Sequence, residues 1–147
     1  MKKFAFSLER VLDYKRQMLE MLENELLRLE EEQMGLELQI EEKNREFGVT
    51  GRALAEKMSR GLQPHRIAAY QGYLEELNRC ANLLLERRRA VLERAEAKRE
   101  EIVRMNGDIS GLERLRDRQF AQYLALGRKQ QEVLIEEFIG RAGVRAG

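Results

Sequence analysis

The chain has 147 residues, 36% charged and 43% hydrophobic, with 6% aromatic content, no tryptophan, one proline and a formal net charge of +1. That apolar share excludes an intrinsically disordered chain, and the near-zero net charge argues against a partner as uniformly anionic as bulk nucleic acid. High charge with few turn residues argues against a compact mixed fold and for long helices in a thin, rod-like protein.

In chain order, the opening MKKFAFSLER has an apolar stretch that ends at Leu8, before Glu9 and Arg10. It is shorter than the apolar core of a signal peptide. No run approaches the length of a membrane span, and the single cysteine, Cys80, fits a reducing compartment. A soluble, cytoplasmic protein is expected.

The next segment keeps a heptad pattern. With Leu12 at position a, the a series is Ala5, Leu12, Leu19, Leu26, Gln33, Ile40 and Phe47. The d series is Leu8, Lys15, Leu22, Leu29, Leu36 and Lys43. Ten of these thirteen positions are apolar, in one unbroken frame, which predicts a coiled-coil seam. The pattern stops in FGVTGRALAEKMSRGLQPHR, where Gly48, Gly51 and Gly61 are candidate helix breakers or C-caps. Pro64 suits the first turn of a new helix.

A second array follows, with a at Ile67, Leu74, Ala81, Arg88, Ala95, Ile102, Ile109, Arg116 and Tyr123. Its d series is Tyr70, Leu77, Leu84, Val91, Lys98, Met105, Leu112, Gln119 and Leu126. Fourteen of the eighteen are apolar, and the glycines 107 and 111 inside the array mark a bendable place, not an end. Folding the chain back near residue 62 pairs a with d between residues whose numbers sum to 124, such as Leu12 with Leu112 and Ile40 with Leu84. A turn one heptad longer or shorter matches as well. Residues 20–46 carry a net −7 and residues 78–104 a net +3, which supports the same antiparallel pairing.

The expected architecture is therefore all-α: two long helices forming an antiparallel coiled-coil hairpin with a C-terminal helical overhang, as a single coiled-coil domain over 1–147. Helix one spans about 4–59, the turn about 60–63, helix two about 64–139, and the tail 140–147 frays. Beyond about Phe120 helix two has no partner in its own chain, yet carries Phe120, Tyr123, Leu124, Leu126, Val133, Leu134, Phe138 and Ile139. Such a stripe reads as a partner-binding surface, or as a dimerising tail. Phe47, Tyr70 and Tyr73 cluster at the turn, as an interface or as a hydrophobic plug.

Catalytic signals are missing from the sequence. His65 is the only histidine, Cys80 reads as a small half-buried hydrophobe, and no glycine-rich phosphate loop occurs. The arginines of ERRRAVLERAEAKRE are interleaved with acids and read as a charge-paired face instead of a nucleic-acid site. No enzyme, metal, cofactor or nucleic-acid partner is expected.

The opening FAFSLERVLDYKRQMLE resembles the F-x-F-x-L-E-x-V-L-x-x-K entry of the FliJ family of bacterial flagellar export proteins. MSRGLQPHRIAAYQGYLEELNR resembles the same family's turn and second-helix start. The resemblance implies a non-enzymatic stalk of the type III export apparatus. It would insert the end carrying both termini into the hexameric ring of the export ATPase FliI, contact the export-gate membrane protein FlhA and escort export chaperones. It would thus sit at the inner face of the cell membrane without inserting in it. Carried over by position, the gate site would comprise Tyr70, Tyr73 and Leu77 with Ile40 and Phe47. The ring-facing residues would be Leu8, Leu12, Phe120, Tyr123, Leu124 and Phe138. FGVTGRAL departs from the family's aromatic spacing on the first helix. Rival readings are the stalk of a virulence type III secretion system, a dimerising coiled-coil spacer and a nucleic-acid-binding coiled coil.

Overall fold

The computed structural model describes residues 2–146, with side chains through residue 143. Residues 2–6 lie outside any helix, and a turn at Ser7 and Leu8, with the Glu9 amide donating to the Phe6 carbonyl at 3.1 Å, leads into α1, Glu9–Ser59. The expected start near residue 4 is thus displaced to Glu9. Here Phe4 and Phe6 obey an alternation of two, not a heptad: Phe6 is buried while Ala5, placed at an a position from the pattern, is exposed.

α1 continues through Gly48 and Gly51, so neither is a cap. Leu54, the next a position after Phe47, is buried, and its packing outweighs the roughly 1 kcal/mol that each helical glycine costs. The helix ends where the Gly61 amide donates to the Met58 carbonyl at 3.2 Å with φ of 90°, the left-handed C-cap. Pro64 then opens α2, Pro64–Ala146, while the Gln63 carbonyl accepts from the amides of Arg66 and Ile67. No atom would obstruct a Cβ at Gly61, so Gly61→Ala isolates the backbone strain. It is expected to cost about 1–2 kcal/mol, read as a lowered melting temperature.

α1 and α2 pack against each other as an antiparallel hairpin. The chain divides into two compact units, one of Met21–Glu101 and one of Met1–Glu20 with Ile102–Gly147. In the Met21–Glu101 unit, Tyr73 contacts Glu46, Arg88 contacts Glu37 and Lys98 contacts Glu25, so α2 ascends as α1 descends. Its core is Leu36, Leu84 and Val91, with Leu29 and Ile40 packed on it. In the other unit Lys15 contacts Asp108, Arg116 contacts Glu9 and Phe4 meets Phe120. The core there is Phe6, Leu12 and Ile109, surrounded by Phe4, Leu8, Leu19, Met105, Leu112 and Leu115. The ion pairs of Arg88 with Glu37 and of Lys15 with Asp108 join residues whose numbers sum to 125 and 123, within one of the expected 124, and exclude a heptad shift.

Charged residues at seam positions reach out to acids on the facing helix while their stems stay in the seam. Lys98 Nζ lies 2.6 Å from Glu25, Arg88 Nε 2.9 Å from Glu37, Lys15 Nζ 3.0 Å from Asp108 and Arg116 Nε 3.3 Å from Glu9. Gln33 also donates to Glu37, and these hydrogen bonds, Gln33 first and Arg88 second, hold the Glu37 carboxyl below the usual range. The hydrogen bond to Glu25 likewise raises the Lys98 ammonium. Such pairs add little stability each but penalise a shifted register. Among the described residues no helix is long and apolar enough to cross a membrane.

Candidate protein-interaction surfaces

Two surfaces carry the candidate residues, one in each unit. In the Met21–Glu101 unit the surface lies near the α1–α2 turn. The Lys57 ammonium sits 5.0 Å from the centroid of the Tyr70 ring and also donates to its hydroxyl. Tyr70 is consequently half-buried. Tyr73, at a g position, is 49% exposed and its hydroxyl donates to Glu46 Oε2 at 3.2 Å. Phe47 is 43% exposed, and Val49 and Met58, further along α1, are also exposed.

Of the five residues expected at this surface, Phe47 and Tyr73 are presented to solvent. Leu77 is 4% exposed and Ile40 packs on the Leu36–Leu84–Val91 core, so these two hold the hairpin together and offer little to a partner. The reason is their register: a and d side chains are consumed by the facing helix. Glu46, the acceptor for Tyr73, and Lys57, the cover of Tyr70, were not singled out from sequence. Lys57 has a legible signal, since a base in the last turn of a helix is favoured by the dipole.

The charge on Glu46 is the leading cause that pushes the Tyr73 phenol above its ordinary value, followed by desolvation. The neutral phenol is therefore the form favoured by folding, and that contribution is lost only as pH rises through the elevated value. A phenolate titration of a variant keeping Tyr73 as its only tyrosine should show this elevation, and Glu46→Gln should lower it. Identical curves for the two chains would refute the contact.

In the Met1–Glu20 and Ile102–Gly147 unit the non-helical N-terminal strap lies on α2. Phe4 meets Phe120 edge-on at 5.1 Å between ring centroids and Tyr123 at 5.5 Å, and Phe120 stacks on Tyr123 at 6.2 Å. The Tyr123 hydroxyl donates to the Lys2 carbonyl. A chain outside a helix advances up to roughly twice as far per residue, so the strap reaches further along α2 than a helical turn would. Intrachain cover therefore extends past Phe120 to Tyr123 and to Gly127, which is buried.

Among the six residues expected to face a ring, Leu12 is wholly buried and Leu8 packs on the same core. They position the strap and present no docking surface. Phe120 is 44% exposed on its free side and Tyr123 is half-buried. Leu124 is 40% and Phe138 74% exposed. Val133, Leu134, Ile135 and Ile139 are also uncovered, at 48, 64, 57 and 63%. Phe4 and Phe6 are the functional-site neighbours that heptad counting missed; the F-x-F alternation is the signal that could have found them.

Among the described residues no group of three or more His, Cys, Asp or Glu side chains is placed to hold a metal ion. What these surfaces can do chemically is bury apolar area against another protein, with hydrogen bonds from tyrosine and charge at the rim. Comparison with protein-family models, with curated proteins and with solved structures finds no match to this chain.

Proposed function

We propose that this chain is a non-enzymatic stalk and adaptor of the bacterial flagellar type III protein export apparatus, serving flagellum biogenesis and motility. The observation that carries the reading is the run of uncovered apolar side chains on α2 past the strap, with Leu134, Phe138 and Ile139 each more than 60% exposed. Exposed apolar patches of this kind mark docking sites, and each such side chain contributes about 1.5–3 kcal/mol when fully buried. The identity of the partner rests on the resemblance of FAFSLERVLDYKRQMLE and of the turn segment to the FliJ family. On that reading the C-terminal part of α2 enters the export ATPase ring of FliI. The exposed aromatics Phe47 and Tyr73 contact the export gate FlhA, which brings the chain to the inner face of the cell membrane, where export chaperones are escorted.

The test is ATP hydrolysis by the purified export ATPase, with and without this chain and a version truncated after Gln119. Stimulation by the full chain that disappears on truncation is the expected result. A full-length chain that leaves hydrolysis unchanged, at concentrations well above those of the ring, would overturn the proposal. Stimulation confined to a virulence-system ATPase would reassign the apparatus, and a stable dimer without any ATPase effect would favour a spacer.

A further inference from the structure

We infer that the groove on α2 lined by Leu126, Lys129, Gln130, Val133, Leu134 and Glu137 receives an amphipathic helix of a partner protein, laid against α2 in the orientation of α1. The inference rests on the reading of this segment as a protein-docking surface and specifies the chemistry of what docks.

The first argument is continuity with an interface already described. In the frame that places Ile109 and Leu112 in the core against α1, Leu126 and Val133 are the next d positions and Gln130 and Glu137 the next a positions. The groove is thus the unoccupied continuation of the helix-pairing seam. It begins where the strap ends, since Leu126 and Gln130 also line the adjoining concavity with Lys2, Tyr123 and Gly127. A surface already patterned at heptad spacing accepts another helix in α1's place.

The second argument is charge. The charged seam residues paired within the hairpin are bases that meet acids across the interface: Lys15 with Asp108, Arg88 with Glu37, Lys98 with Glu25 and Arg116 with Glu9. Glu137 inverts this rule, so the occupant must present a base there. Lys129 is at g, and the Tyr73–Glu46 contact shows that g positions face each other across this hairpin; the occupant must present an acid to Lys129. A second copy of the same segment does not meet both requirements in any one register. Paired antiparallel with Glu137 against Leu126, it sets Lys129 against its own counterpart; shifted by one heptad, it brings Glu136 to Lys129 but sets Glu137 against Val133. Paired in parallel, it sets Glu137 against Glu137. Like charges opposed across a seam select against self-pairing and for a heterotypic helix.

The experiment titrates the full-length chain into a fluorescently labelled synthetic three-heptad peptide with leucine at a and d, save one arginine placed to face Glu137 and one glutamate placed to face Lys129. A second peptide exchanges those two charges. The first should bind about tenfold more tightly than the second, which is the effect of reversing two flanking ion pairs. It should slow amide exchange over residues 124–139, and the double variant Lys129→Glu/Glu137→Lys should reverse the preference. Equal affinity for the two peptides, protection elsewhere on the chain, no binding, or self-association of the free chain through this segment would each overturn the inference. The ATPase measurement separates the two failures. Peptide binding as expected without stimulation sinks the ring reading alone, whereas stimulation untouched by the double variant, with no peptide binding, sinks the groove alone.

Discussion

Leu12→Asp is expected to abolish cooperative folding of the unit formed by Met1–Glu20 and Ile102–Gly147. Leu12 is fully buried between Phe6 and Ile109, with Phe4, Leu8 and Leu112 packed around them. Truncating such a leucine to alanine alone costs about 2–5 kcal/mol through lost transfer energy and the cavity left behind. Aspartate adds an unpaired carboxylate in the same apolar cluster. The bases on the next turn are already engaged, Lys15 with Asp108 and Arg16 with Glu113. Against a total stability of about 5–15 kcal/mol for a typical domain, the sum removes most or all of the margin. Leu27→Asp is the control: its side chain is 56% exposed, and a change there should stay within about 0.5 kcal/mol of the parent apart from helix propensity. Thermal melts followed by circular dichroism decide. If the two variants melt together, the burial and register assigned to Leu12 are wrong.

The seam that makes this prediction possible was legible in the sequence because a heptad repeat is a local, cumulative signal. Every position of the second array from Ile67 to Tyr123 is buried or half-buried, and only the last, Leu126, is exposed. What was not legible depended on tertiary competition. The strap was read as helix because Ala5 and Leu8 fit the frame, whereas Phe4 and Phe6 bury more area by leaving it.

The candidate sites were legible only in part, for a related reason. Residues carried over by resemblance mix two classes that heptad position separates. Leu12, Leu77 and Ile40 sit at a or d and are taken up by the hairpin. Tyr73 at g and Phe138 on the uncovered tract are left for others. Phe47 is the exception that position alone does not explain: it is an a residue, yet 43% exposed. Nothing in the contacts between α1 and α2 explains that exposure.

On the proposed stalk reading, Leu134→Asp combined with Phe138→Asp is expected to leave the fold intact and to abolish stimulation of the export ATPase. The two side chains are 64% and 74% exposed and belong to neither hydrophobic core, so folding gains little from them. The intrinsic cost is that of placing two aspartates in a helix, a few tenths of a kcal/mol each, confined to a segment past the strap. Docking is another matter. If both side chains are buried by the ring, their removal forfeits about 3–6 kcal/mol of transfer energy before the carboxylates are desolvated. That is more than a hundredfold in affinity, enough to eliminate stimulation at any practical concentration. Unchanged melting with lost stimulation would place the contact on this tract and separate binding from folding, which truncation after Gln119 cannot do because it also removes Phe120 and Tyr123 from Phe4. Full stimulation by the double variant would move the docking surface off the tract altogether, leaving the exposed faces of Phe120 and Leu124 beside the strap as the place where a ring would have to grip.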